Sequence, residues 1–142
     1  MPTRKTPKRK PKGQSLTTAG KIHPERWNIS KDEAYVALKA LDIPVREIKK
    51  VNCLQHQVCV SYWNEAGQVC SSFFSYRCFA RWQQAVEKLI ADLQNISEWE
   101  SLGDIIEYDL LRFPYPPEMT DAIWDKLRER FYQLKARQIN AA

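Results

Sequence analysis

Hydrophobic and polar positions recur at helical spacing over residues 31–41. Ser30 and Glu33 precede and open this stretch in the S-x-x-E arrangement of a capping box, which satisfies free N–H groups at a helix start. The pattern predicts a helix from Lys31 to Leu41 that ends before Asp42-Ile43-Pro44. Its predicted apolar stripe consists of Tyr35, Leu38 and Leu41.

The pattern becomes that of β-strands between residues 47 and 74. Branched and aromatic residues are frequent in three runs, Ile48–Leu54, Gln57–Trp63 and Gln68–Phe74. Asn64-Glu65-Ala66-Gly67 predicts a hairpin loop between the last two runs, because Gly67 can adopt the positive φ that such a loop requires. The three runs predict an antiparallel β-meander.

Neighbouring aromatic residues place one ring on each face of this sheet. Phe73 and Phe74 cannot both point to the same side of a strand, since side chains alternate. We expect the second face to be buried under the C-terminal helices. An exposed aromatic there could instead stack on a base or anchor a protein partner.

Three further helices are predicted after the strands. Ser75 is a candidate N-cap for a long helix from Tyr76 to Gln94, whose buried face is Phe79, Trp82, Val86, Leu89 and Leu93. Ser97 and Glu100 repeat the capping-box pattern and start a shorter helix that ends near Leu111, with Leu102, Ile105, Ile106 and Leu110 facing inward.

The last predicted helix runs from Glu118 to Arg137. Its predicted buried residues are Ile123, Trp124, Leu127, Phe131 and Leu134. The resulting fold class is α+β: a helix, a three-stranded antiparallel β-meander and a long helix, then two C-terminal helices. The predicted divisions are a disordered basic arm (1–24), an α-β-β-β-α core (25–96) and a helical extension packing on that core (97–142).

Residues 1–24 differ from the rest of the chain in composition. They hold four of the eight prolines and almost no apolar residues, so they cannot bury enough surface to offset the entropy of ordering. Residues 1–22 carry no acidic residue, whereas the rest of the chain has 15 basic and 17 acidic residues. The basic residues of this arm are Arg4, Lys5, Lys8, Arg9, Lys10, Lys12 and Lys21.

The composition argues against membrane and secretory classes. No apolar run approaches the ~18–20 residues that span a bilayer, and no apolar stretch follows the charged N-terminus. The four cysteines, which lie among apolar neighbours, are expected to be free thiols in a reducing compartment. We expect a small soluble cytoplasmic protein, associated with the nucleoid in a bacterium or located in the nucleus of a eukaryote.

The order helix, three strands, helix between Lys31 and Gln94 resembles that of double-stranded-RNA-binding domains. In that family a histidine in the first strand loop and a Ser-Lys-Lys start to the second helix grip the RNA backbone. His56 and Ser75-Tyr76-Arg77 occupy similar places here, with Arg81 one turn further on. Residues 60–75 and the following helix also look like the three-strand-plus-helix arm modules of phage-type integrases and AP2 domains, which read DNA with the sheet face.

Candidate metal ligands cluster around the first strand loop. Cys53, His56 and Cys59, with Cys70, have the right atoms for zinc, and a turn at Gln55–Gln57 would place Cys53 opposite Cys59. They lack the paired C-x2–4-C spacing of structural zinc sites. We therefore predict buried thiols and an exposed turn histidine rather than a metal site.

The sequence offers little for catalysis. Glu47-Ile48-Lys49 has the E-x-K form of metal-dependent nucleases, but three-residue matches are frequent by chance. Asp104, Glu107 and Asp109 are expected on the solvated face of their helix. We predict no catalytic residue, no metal and no cofactor.

These observations favour a non-enzymatic nucleic-acid-binding protein. An extended basic arm suits phosphate contacts, because neutralising phosphates releases condensed counterions. We expect a second contact on the body from Lys49, Lys50, Arg77 and Arg81, and weakly sequence-specific binding to DNA or RNA. The alternative is a protein–protein adaptor, or a small subunit of a larger assembly, whose mildly acidic body binds a protein.

Overall fold

A computed structural model describes residues 14–141 of the chain. Six residues of the predicted basic arm lie outside the described part, namely Arg4, Lys5, Lys8, Arg9, Lys10 and Lys12. The described elements are a 3-10 turn at Pro24–Arg26, α1 (Lys31–Ala40), β1 (Val45–Cys53), β2 (Val58–Asn64), β3 (Val69–Phe74), a 3-10 turn at Tyr76–Cys78, α2 (Ala80–Ala91), α3 (Ile96–Arg112) and α4 (Pro117–Ala141). The predicted α+β class and element order are confirmed. No described helix is long and apolar enough to cross a membrane.

The capping box of α1 forms as predicted. Ser30 Oγ accepts from the Glu33 N–H at 3.0 Å, and Glu33 Oε1 accepts from the Ser30 N–H at 3.0 Å. The predicted apolar stripe is wrong in part, because Tyr35 and Leu41 are exposed whereas the helix buries Ala34, Ala37 and Leu38. Small alanines let α1 lie close against β1, on which it packs.

The sheet is antiparallel in the order β1-β2-β3. Asn64 and Gln68 close the hairpin between β2 and β3, and Gly67 has the predicted positive φ of 83°. The face turned toward the helices, here called the inner face, buries Val45, Ile48, Val58, Val60 and Tyr62.

Two of the three helices that follow the sheet, α2 and α3, begin at different residues from those predicted. Ser75 caps the 3-10 turn by accepting from the Arg77 N–H, so α2 starts later, at Ala80. Asn95, not Ser97, caps α3 and accepts from the Glu98 N–H at 2.8 Å. An equivalent capping pattern two residues earlier therefore replaces the predicted one.

Of the two C-terminal helices, α4 packs on α2 and α3 packs on α4, and neither covers the second face of the sheet. α4 contacts both α2 and α3, and it buries Ile123, Leu127 and Leu134 as predicted. Trp124, predicted to be buried, is 38% exposed. The expectation that these helices cover the sheet is therefore wrong.

Residues 14–24 are packed against the body, contrary to the prediction of disorder up to residue 24. Leu16 is fully buried and Ile22 is 5% exposed. Both of these side chains contribute to the core, and Thr17 Oγ1 lies 2.9 Å from His56 Nδ1 in the β1–β2 turn. Composition alone does not predict this packing, because two well-placed apolar residues are enough to hold the stretch before α1 against the body.

A buried ion pair joins the 3-10 turn before α2 to α3. Asp109 is fully buried and Arg77 is 1% exposed, and Arg77 donates from Nε and Nη2 to the two carboxylate oxygens at 2.9 and 2.7 Å. The rings of Trp82 and Phe113 lie against the guanidinium, with centroids 4.2 and 3.7 Å from Cζ. The expectation of a solvated Asp109 is wrong, because its charge is neutralised inside the protein.

The neighbours of Asp109 take up its remaining acceptor capacity. The Leu16 N–H donates to Oδ2 at 2.9 Å, and the Tyr115 hydroxyl donates to Oδ1 at 2.5 Å. Burial and the adjacent carboxylate raise the pKa of Tyr115, which keeps its hydroxyl protonated as a donor. Four hydrogen bonds thus satisfy a carboxylate that is shielded from water.

Candidate functional site

The sheet face turned away from α1 and α2, here called the outer face, presents three rows of side chains. The register places Asn52, Cys59 and Phe73 in the row next to the β1–β2 turn. The middle row is Lys50, Ser61 and Ser71, and the row next to the β2–β3 turn is Glu47, Trp63 and Val69. None of these nine side chains is buried.

Two apolar residues stand well exposed on this face. Phe73 is 59% exposed and Val69 is 56% exposed, and both belong to β3, the edge strand. Small neighbours leave the Phe73 ring accessible, since Cys59 and Ser71 fill little space beside it. The sequence allowed either a buried or an exposed aromatic residue on this face. Among the described residues, Phe73 is the exposed one on β3.

The β1 edge of the outer face carries lysines. Lys49 and Lys50 are both exposed, and Lys49 Nζ lies 5.7 Å from the centroid of the Trp63 ring, within cation–π range. Glu47 is the acidic residue among the nine, and β2 and β3 carry no charged residue at all. The face is thus mildly positive, with its cations at one side.

The described residues before α1 contact the β1–β2 turn, at the end of the sheet where the first row lies. Thr17 contacts His56 in the β1–β2 turn, and the Tyr76 hydroxyl donates to the Leu54 carbonyl of the same turn at 2.5 Å. Gln14 lies three residues before Thr17, hence within about 10 Å of it along the chain. The described part of the chain therefore begins near the end of the sheet that carries Phe73.

The other predicted body contacts differ in availability. Arg77 is not available to a phosphate, because it is buried against Asp109, and this correction removes it from the predicted site. Arg81 is partly exposed and donates to Glu33 at 2.9 and 2.6 Å; this hydrogen-bonded pair lowers the pKa of Glu33 and raises that of Arg81. Lys21 is exposed and lies apart from this pair in the N-terminal segment.

The resemblance to double-stranded-RNA-binding domains extends to element order and not to these side chains. His56 is held by Thr17, Arg77 by Asp109 and Arg81 by Glu33. The residues that the resemblance marks as backbone contacts are therefore engaged within the protein.

The cysteines do not assemble as the zinc alternative required. Cys53 pairs with Val58 and Cys59 pairs with Asn52, so the two thiols point to opposite faces. Within residues 14–141, no group of three or more His, Cys, Asp or Glu side chains is placed to hold a metal ion. Burial raises the pKa of the Cys78 thiol to about 11.

A second exposed surface lies on the C-terminal helices. Trp99, Trp124, Leu127, Arg128 and Phe131 line a hollow of about 240 Å³ between α3 and α4, here called the α3–α4 aromatic surface. Trp99 is fixed there, because its Nε1 donates to the Leu127 carbonyl at 2.8 Å and its ring lies 4.8 Å from that of Phe131.

Comparison of the chain with protein-family models, curated proteins and solved structures found no match. The assignment of a function therefore depends on the geometry and charge of these two surfaces.

Proposed function

We propose that the protein is a non-enzymatic nucleic-acid-binding protein in which the basic N-terminal segment and the outer face contact the same nucleic acid. The observation that carries this proposal is the uncovered sheet face, which bears an exposed Phe73 on β3 and exposed lysines on β1. Aromatic rings interleaved with basic residues are the pattern by which sheets bind nucleic acid.

The charge of the chain is divided in a way that supports this role. Residues 1–13 hold six of the 22 Lys and Arg residues and no acid, whereas residues 14–142 hold 16 basic and 17 acidic residues. The segment therefore supplies most of the attraction to a polyanion, through counterion release. Its point of attachment lies near the β1–β2 turn, at one end of the sheet.

The expected binding is weakly sequence-specific. Lysines at the β1 edge and in the segment contact phosphates, and phosphate contacts carry no base information directly. The hydroxyls of Ser61 and Ser71 are the polar groups at the centre of the face. The nucleic acid can accordingly be DNA or RNA of varied sequence.

A protein–protein adaptor is the second candidate, favoured by the α3–α4 aromatic surface. Trp124 is 38% exposed and Tyr132 is 65% exposed, and aromatic residues are enriched at binding hot spots. In that role a protein would bind α3 and α4, and the lysines of β1 would contribute nothing.

Replacing Lys49 and Lys50 together by glutamine tests the proposal. We expect several-fold weaker binding of a labelled 20-nucleotide strand in fluorescence anisotropy, and a salt slope that falls by roughly one to two, because two phosphate contacts are lost. Lys88 and Lys126, exposed on α2 and α4, provide the matched double substitution, which should change little. Two results together would favour the adaptor. The unaltered chain would not bind the labelled strand at 50 mM salt, and Trp124→Ala would abolish binding of a protein partner.

A further inference from the structure

We infer that the outer face takes single-stranded nucleic acid, with Phe73 as the stacking platform for an unpaired base. This inference rests on the proposed function and specifies its ligand. It is carried by the exposure of the ring, by the arrangement of the three rows and by the position of the charges.

An exposed ring on an open sheet selects for a free base. Phe73 is 59% exposed and its row neighbours are Cys59 and Asn52, so a planar group can lie on it without meeting another large side chain. In a duplex the faces of internal bases are already covered by stacking, whereas an unpaired base offers its face. Base–aromatic stacking is also independent of sequence, in keeping with weak specificity.

The second aromatic lies at a distance that suits a strand crossing the face. Trp63 occupies the third row and Phe73 the first, four residues apart along β2, which corresponds to about 13 Å. Bases stacked in a duplex strand are about 3.4 Å apart, so the two rings cannot contact adjacent bases of such a strand. An extended single strand can reach both, with intervening nucleotides over the middle row.

The middle row opposes docking of a protein on the same face. Lys50, Ser61 and Ser71 are polar and separate Phe73 from Trp63 and Val69, so the apolar groups do not form one continuous patch. A second copy of this chain packed face to face would remove the Lys50 ammonium and the hydroxyls of Ser61 and Ser71 from water, at a cost in free energy. A strand satisfies them, because its phosphates and sugars offer acceptors and donors between the bases.

The charges of the outer face suit contact with one phosphate backbone and not with two. Lys49 and Lys50 lie on β1, while the opposite edge, β3, carries no charge. A duplex presents two phosphate backbones, of which this face could neutralise one. A single strand running along β1, with its bases directed over β2 and β3, matches the distribution.

Substitutions at Phe73 test the inference with the full chain. We expect Phe73→Ala and Phe73→Leu each to weaken binding of a labelled 20-nucleotide thymidine strand about tenfold, and Phe73→Tyr to retain it, because stacking needs a flat ring. Binding of a 20-base-pair duplex should be weaker than that of the strand and unchanged by all three. Tyr132→Ala, an equally exposed aromatic on α4, is the matched control and should have no effect.

The outcomes separate this inference from the proposed function. Equal binding of strand and duplex with no effect at Phe73 would overturn the inference and leave phosphate binding by the basic segment intact. If Phe73→Leu still bound the strand, the contact would be apolar and would not depend on stacking, which would overturn the inference. A dimer in sedimentation that Phe73→Ala dissociates would show that a second copy covers the face, and would overturn the inference as well.

Discussion

Replacing Asp109 by alanine is expected to lower the free energy of unfolding by about 3–5 kcal/mol, because it leaves a buried guanidinium without its counter-ion. Arg77 is 1% exposed and has the rings of Trp82 and Phe113 against it, so water cannot replace the lost carboxylate. The Leu16 N–H and the Tyr115 hydroxyl lose their acceptor at the same time. Urea denaturation followed by circular dichroism measures the change.

A partly exposed pair of the same kind provides the control. Arg81 and Glu33 form a similar two-bond contact, but about a third of each side chain is exposed. Arg81→Ala should therefore cost roughly 1 kcal/mol or less. The double change Arg77→Met with Asp109→Leu should recover part of the loss, since it removes both charges. A cost below 1 kcal/mol for Asp109→Ala would contradict the structural role given to this pair.

Deleting residues 1–12 is expected to weaken nucleic-acid binding by about two orders of magnitude at 50 mM salt. The deletion removes six basic residues, each able to release about 0.7 counterion from a single strand. The slope of log K against log salt should consequently fall in magnitude by about 4. Stability should change little, since the packed part of the N-terminal segment begins at Ser15.

Two variants keep the length of the segment constant and isolate its charge. Replacing the six Lys and Arg residues by glutamine should reproduce the deletion. Permuting residues 2–12 at constant composition should leave both affinity and slope unchanged, because counterion release depends on charge and not on order. A permuted segment that binds as weakly as the deletion would show sequence-specific recognition instead.

Local patterns in the sequence predict the elements of this fold well. The capping box at Ser30, the positive φ of Gly67 and the buried face of α2 follow from rules that act over a few residues. The start of α3 shows the limit of such rules. Asn95-x-x-Glu98 and Ser97-x-x-Glu100 fit the same pattern, and the structure uses the first.

Long-range pairings account for what the sequence does not predict. Asp109 looks like a solvated helix residue until Arg77, 32 positions earlier, is brought beside it. Leu16 looks like part of a disordered arm until its N–H finds Asp109, 93 positions later. Pattern reasoning therefore places charged residues on the surface and does not predict the buried pair of Arg77 and Asp109.

The sequence predicts which residues belong to the candidate site, but it does not predict that the sheet face carrying them stays open. Strand alternation already requires that Phe73 and Phe74 face opposite sides. Which side stays open depends on where α3 and α4 pack, and the packing of α4 on α2 and of α3 on α4 leaves the outer face uncovered. Charge alone indicates Lys49 and Lys50 in the sequence, and the structure places Lys50 on that face and Lys49 over the Trp63 ring.

Ultraviolet cross-linking of the full chain to a single-stranded oligonucleotide, followed by mass spectrometry of the peptides, tests the central claim most directly. We expect adducts on peptides from residues 1–13 and on the β2–β3 region that contains Trp63 and Phe73. Adducts confined to the α3–α4 aromatic surface, or none at 50 mM salt, would contradict nucleic-acid binding by the basic segment and the outer face.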